Sequence, residues 1–99
     1  MTTMDTNNSV MMTGLVRRPL VQADKVATFI LSVKDGNDTT KNYMFDCVAY
    51  GTLAKRIASK VRDGAKVTIE GSLRSFSYED RLGHKHIHTD ILVNDITMI

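Results

Sequence analysis

Arg74-Ser75-Phe76-Ser77-Tyr78 sets an arginine and two aromatic rings at alternate positions. In an extended strand all three point the same way, opposite to Leu73. Such a row suits a polyanion that carries flat groups. Cations meet its phosphates, and rings stack on its bases whatever their identity, at roughly 1–3 kcal/mol per base. Large apolar groups outside a core commonly mark a contact surface. The competing reading packs Phe76 into a subunit interface or under a loop. Tyr50 and Met44 share one face of a second alternating segment, with Asp46 between them. Tyr50 either stacks on a base or closes a barrel edge with its hydroxyl in water. Met44 offers an apolar, polarizable contact. The Asp46 carboxylate repels phosphate.

The cations are dispersed: thirteen Lys and Arg against eleven Asp and Glu, a formal charge of +2. That balance permits a polyanion partner without demanding one. Arg17-Arg18 sits at the end of an apolar segment, Lys34 and Lys41 flank a turn-rich loop, and Lys85 follows a hairpin tip. Lys55, Arg56, Lys60 and Arg62 fall on the polar side of a helical pattern and read as a solvated face.

His84, His86 and His88 alternate, so they share one strand face, which Asp90 continues. Imidazoles so spaced can converge on zinc or nickel. The other reading is a polar hairpin arm that touches DNA or a neighbouring subunit. No glycine-rich phosphate loop or nucleophile motif is present, and no triad or carboxylate pair is evident, so catalysis has little support. Cys47 alternates onto an apolar face, where a thiol is inert.

The elements that must position these residues follow from periodicity. Residues 1–8 are polar and read as a disordered arm ahead of a single domain, 9–99. Val10 to Val16 reads as a strand, bent or bulged at Gly14 and stopped near Pro19. From Lys25 to Val33, Ala27, Phe29, Leu31 and Val33 share a face. Asp35-Gly36-Asn37-Asp38-Thr39-Thr40 is a turn, and Asn42 to Tyr50 returns with Phe45, Cys47 and Ala49 on its core side. Leu53, Ile57 and Val61, with Ala54 and Ala58, then change the period to that of a helix of about three turns. Thr52 is its expected N-cap and Gly64 its C′ residue. Lys66 to Tyr78 is a strand with Val67, Ile69 and Leu73 on one face, broken at Gly71 by a bulge or sharp bend. Glu79 to Gly83 is a hairpin tip, and Lys85 to Ile99 is the last strand.

The order is β-β-β-α-β-β: an all-β chain with one short helix. That is the plan of the five-stranded OB-fold, a Greek-key barrel. A ferredoxin-like sandwich needs two helices. At 99 residues, 42% hydrophobic, the chain suffices for one core. No apolar run approaches the ~20 residues of a membrane span, and the N-terminus lacks a secretory pattern. One cysteine excludes a disulfide scaffold and multi-cysteine zinc sites, and fits a reducing cytoplasm.

Four stretches together resemble the bacterial and phage single-stranded-DNA-binding protein family. They are Asn8-Ser9-Val10-Met11-Met12-Thr13-Gly14-Leu15 with Pro19 soon after, Ala27 to Leu31, Phe45 to Gly51, and Gly64 to Arg74. The last is the most specific: a basic residue, alternating β-branched residues and Gly-x-Leu directly after a helix. The resemblance runs from about Asn8 to Ile99. It implies an OB-fold and binding of single-stranded DNA with little sequence preference during replication, recombination or repair. It implies no cofactor. It also implies a homo-oligomer, with a tetramer favoured over a dimer, in the bacterial nucleoid or a phage-infected cell. Taken with the residue reading above, the expected binding residues are Arg17, Arg18, Lys34, Lys41, Met44, Tyr50, Arg74, Phe76, Tyr78 and Lys85. Tyr50 and Met44 match family positions that usually hold aromatic base-stackers.

Three departures accompany the likeness. Tryptophans are common on the family's binding face, and here there are none. The flexible tail with an acidic tip, through which replication or recombination proteins are recruited, is not expected after Ile99. The turn before Pro19 is about one residue short. A second resemblance, to primosomal replication protein N, rests on the small size and the Gly-Leu-Val-Arg-Arg-Pro-Leu stretch. It implies a dimeric adaptor that binds DNA and a helicase.

Overall fold

The computed structural model describes residues 7–23 and 25–99. Five strands, β1 (Val10–Gln22), β2 (Val26–Lys34), β3 (Asn42–Tyr50), β4 (Lys66–Glu79) and β5 (Lys85–Met98), close into a barrel in the order β1-β2-β3-β5-β4. One helix, α1 (Thr52–Lys60), joins β3 to β4. Every pairing is antiparallel except β3 with β5, which run parallel through Cys47↔Ile91 and Val48↔Leu92.

The β2–β3 hairpin has the turn that its sequence predicts. Asp35 Oδ1 accepts the N–H groups of Asn37 and Asp38, and Asp38 Oδ1 accepts that of Thr40. Short carboxylate side chains thus imitate backbone acceptors. The Tyr43 hydroxyl donates to Asp35 Oδ2 at 2.5 Å and fastens the strand to the loop. That bond and the two N–H donors hold the Asp35 carboxyl below its usual range.

The alternating residues Ala27, Phe29, Leu31, Cys47 and Ala49 are buried, as expected, with Val16, Val67, Ile69, Ile91 and Ile96. The helix is too short to persist alone. It lays Ala54 and Ile57 on the end of the barrel, and Val61 is buried just beyond it. Burying Ile57 contributes about 1.5–3 kcal/mol.

Both expected helix caps are replaced. Gly51, at φ +66, holds the N-cap position, and Thr52 is already helical. A left-handed residue is needed there because the chain leaves β3 and turns at once, and glycine enters that region without a Cβ clash. At the other end Val61 is extended. Gly64, at φ +88, belongs instead to the entry of β4. Its N–H donates to the Val16 carbonyl at 2.7 Å, and the Val16 N–H donates to the Ala65 carbonyl at 2.8 Å. Val16 is fully buried, so its peptide groups must find partners inside the protein.

The first strand does not stop near Pro19. It runs on to Gln22 through a register shift between Arg17 and Leu20, with Arg18 at φ +53. Pro19 falls inside that irregularity, where its missing N–H costs no ladder bond. Strict alternation would turn Leu20 inward with Val16. The irregularity restores Val21 to the core side and leaves Leu20 exposed. Gly14 is not the bulge. A Cβ there would lie 2.4 Å from the Ser32 carbonyl oxygen, so glycine permits close passage of two backbones. The expected irregularity at Gly71 is present between Glu70 and Gly71. Leu73 is the remaining correction. It shares a face with Ile69 but is 48% exposed, because β4 and β5 extend past the barrel as a two-stranded arm.

The polar arm expected over 1–8 ends at a fixed point, and residues 1–6 lie outside the described residues. The Asn8 amide donates to the Leu73 carbonyl at 2.6 Å and accepts the Leu73 N–H at 2.9 Å. It thereby extends the β1–β4 ladder by one side chain.

Candidate nucleic-acid interface

The pairings bring the outward residues of three strands into one surface. Met44, Asp46, Val48 and Tyr50 come from β3. Register then sets Arg74 opposite Asp90, Phe76 opposite His88 and Tyr78 opposite His86 on the β4–β5 arm. Tyr50, Phe76, Tyr78 and Met44 are all about half exposed or more. The expectation that these rings avoid the core therefore matches their placement. Phe45 is half-buried against the core, and Tyr43 is spent on Asp35.

Each ring has a partner. The guanidinium of Arg74 lies over Tyr50, with Cζ 5.7 Å from the ring centroid and Nη1 3.4 Å from the hydroxyl. Phe76 meets His88 at 5.2 Å, tilted by 56°. Tyr78 stacks on His86 at 5.1 Å and 21°. His86 Nε2 lies 2.8 Å from Asp80 Oδ2, which holds the Asp80 carboxyl below its usual range, with the His84 and Leu82 N–H groups assisting. The histidines are thus spread among two rings and two carboxylates. Among the described residues no group of three or more His, Cys, Asp or Glu is arranged to hold a metal ion.

A groove continues this surface toward β1. One stretch is walled by Arg18 and Leu20 on one side and His88 on the other, over Thr28, Ile30, Asp46 and Val48. A second stretch, between Arg17, Arg18, Ile30, Met44 and Asp63, adjoins it through Arg18 and Ile30. The irregularity in β1 brings both arginines to the rim. The Arg18 N–H is tied to Asp63 Oδ1 at 3.2 Å. Asp46 lies in the floor, where its charge opposes that of the rim.

The remaining predicted cations lie apart. Lys41 is near the tip of the β2–β3 hairpin, 4.0 Å from Asp38. Lys34 lines a different depression with Thr13, Gly14 and Lys66. Lys85 pairs in register with Glu79 at the tip of the arm. Arg74 is close to the rings but is not a free cation. Its Nε and Nη2 each donate to an Asp90 oxygen at 2.8 Å, and this holds Asp90 below the usual carboxylate range. Sequence reasoning did not single out His86, His88, Leu20 or Ile30 as part of one surface. The alternation of the histidines was a signal for the first two. Nothing local marks the others, because only the barrel's closure brings β1 and β2 beside them. Burial raises the Cys47 thiol to about 12, so it stays protonated and unreactive.

Five strands in this order, with a helix over one end, define an OB-fold carrying an aromatic face and a basic-rimmed groove. The single-strand binding protein family model matches residues 7–99, and the chain belongs to that family. Single-stranded DNA-binding protein 1 of Xylella fastidiosa (strain 9a5c) is 29% identical over 82 residues, covering 82% of this chain and 60% of that protein. The single-stranded DNA-binding protein of Clostridium perfringens (strain 13 / Type A) is 28% identical over 74 residues, covering 75% and 49%. The chain therefore spans less than two thirds of the length of these two relatives. A solved Plasmodium falciparum SSB complex with ssDNA has the same fold, with TM-score 0.77, 23% identity and 99% of each chain covered. These findings favour the first expected resemblance over the primosomal one.

Proposed function

We propose that this protein binds single-stranded DNA with little sequence preference, and that it acts as a homo-oligomer protecting exposed strands in replication, recombination or repair. The observation that carries the reading is the set of half-exposed rings, Tyr50, Phe76 and Tyr78, on the outward side of β3 and the β4–β5 arm, a surface that the groove under Arg17 and Arg18 meets at Met44 and His88. Rings offer sequence-tolerant stacking and the rim offers charge for the backbone. The names of the relatives agree with it, and the family is one of binding proteins. Among the described residues no helix is long and apolar enough to cross a membrane. The reading places the protein in the cytoplasm, where its free thiol stays reduced.

With no tryptophan, tyrosine emission reports the face through two of the three tyrosines, Tyr50 and Tyr78. Titration with oligo-dT should quench it at concentrations where duplex of equal length does not, with or without a chelator. Equal affinity for duplex would overturn the reading, and loss of binding on chelation would revive a metal at the histidines. Sedimentation equilibrium gives the subunit number. Four subunits favour the replication-type protein and two the primosomal type.

A further inference from the structure

Asp90 is the one buried charged residue among those described, at 4% exposure. A buried carboxylate is tolerated only with close partners. Here both oxygens are taken by the Arg74 fork at 2.8 Å, and His88 Nε2 stands 3.8 Å from Oδ2. The pair fixes the guanidinium in one plane. The free nitrogen, Nη1, turns toward the Tyr50 hydroxyl, and Cζ sits over the Tyr50 ring. What Arg74 leaves to solvent, at 32% side-chain exposure, is part of a planar group whose charge is already matched. A phosphate drawn there would meet Asp90 behind the guanidinium, with Asp46 of β3 lining the same depression as Asp90. A base would meet a flat surface between Tyr50 and the Phe76–Tyr78 row.

We infer that Asp90 is a positioning residue of the DNA face, which holds Arg74 as a fixed stacking plate beside Tyr50 and keeps it from acting as a phosphate contact. The inference rests on the proposed binding of single strands and assigns one part of that site its role. Arginine stacks on rings and bases through its plane, whereas lysine is a point charge. The two roles therefore separate on substitution.

The experiment measures oligo-dT affinity against salt for the wild type, Arg74→Lys, Arg74→Gln and Asp90→Asn. Circular dichroism normalises each to folded protein. Arg74→Lys keeps a cation for Asp90 and so keeps the fold. A plate predicts that Lys and Gln both lower affinity roughly five-fold or more, as for a lost base stack, with the salt slope unchanged. Asp90→Asn frees the guanidinium and should steepen the slope by about 0.7, one further phosphate contact. Wild-type affinity in Arg74→Lys, or a slope shallower by about 0.7 in Arg74→Gln, would overturn the inference alone. So would an Asp90→Asn variant with unchanged affinity and slope. A wild type that does not bind oligo-dT would overturn the underlying reading as well.

Discussion

The phenol of Tyr78 on β4 stacks on the imidazole of His86 on β5, with centroids 5.1 Å apart and planes at 21°. His86 is in turn held by Asp80 at the turn between the strands, with 2.8 Å between Nε2 and Oδ2. A two-stranded ribbon is marginal by itself. Cross-strand pairs contribute roughly 0.2–1 kcal/mol each, and this arm has three in succession: Arg74–Asp90, Phe76–His88 and Tyr78–His86. The pairs that stiffen the arm also fix the rings it presents. A ring already held loses less freedom when a base stacks on it.

Tyr78→Ala is expected to cost ~1–3 kcal/mol of oligo-dT binding, and Tyr50→Ala a similar amount. Stability should change little, since both rings are half exposed and leave no cavity. Urea midpoints and affinities measured together check this. A core role would instead cost ~3–5 kcal/mol of stability with affinity per folded molecule unchanged.

Asp46→Asn should tighten oligo-dT binding, and Asp46→Lys should do so further with a salt slope steeper by about 0.7. The carboxylate lies in the groove floor beside the Arg18 rim, where it opposes phosphate. Affinity titrations across a salt series give both numbers. Unchanged affinity and slope in both variants would show that the strand avoids this groove.

Gly71→Ala should destabilise the fold by about 1–3 kcal/mol or more, as overpacking does. An added Cβ would stand 2.1 Å from the Leu92 carbonyl oxygen, and backbone cannot swing aside as a long side chain can. Gly36→Ala, in open space, is the control and should be near neutral. Urea denaturation of the two variants compares them directly.

Stability should fall in acid partly through Asp90. The Arg74 guanidinium holds this carboxyl below its usual range, against about 3.9 in an unfolded chain. Near pH 4 the unfolded state therefore binds more protons than the folded one. The contribution is complete above the unfolded value and is lost as pH falls through the folded value. Asp90→Asn should be less stable at pH 7 and should lose less between pH 5 and 2. Parallel acid-dependent profiles for the two proteins would refute this.

Met11 is 66% exposed on β1, and residues Val10–Thr13 ladder with β4 alone. If subunits join through this strand, Met11→Pro should lower the mass at sedimentation equilibrium, because it removes an N–H from the strand. A folded oligomer of unchanged size would place the interface elsewhere.

Much of this protein was legible in the order of its residues. Period-two alternation gave the core faces of β2 and β3, because one side of each strand must meet the barrel interior. The switch to period four from Leu53 to Val61 placed the helix, and the dense carboxylates and glycine at 35–40 gave the hairpin. Alternation also separated Arg74, Phe76 and Tyr78 from Leu73, since successive side chains on a strand point to opposite sides. Local pattern misled where a distant backbone decided the geometry. Gly14 is required by Ser32, Gly64 turns at φ +88 where its N–H meets the Val16 carbonyl, and the path through Pro19 returns Val21 to the core. The role of Arg74 belongs to the same class. The sequence shows a cation in an aromatic row. Only pairing of β4 with β5 sets Asp90 against it, sixteen residues away, and only closure of the barrel through β3 and β5 sets Tyr50 beneath it. Whether a charge is free or matched depends on what lies within a few ångströms, and in a barrel those neighbours come from strands remote in the chain.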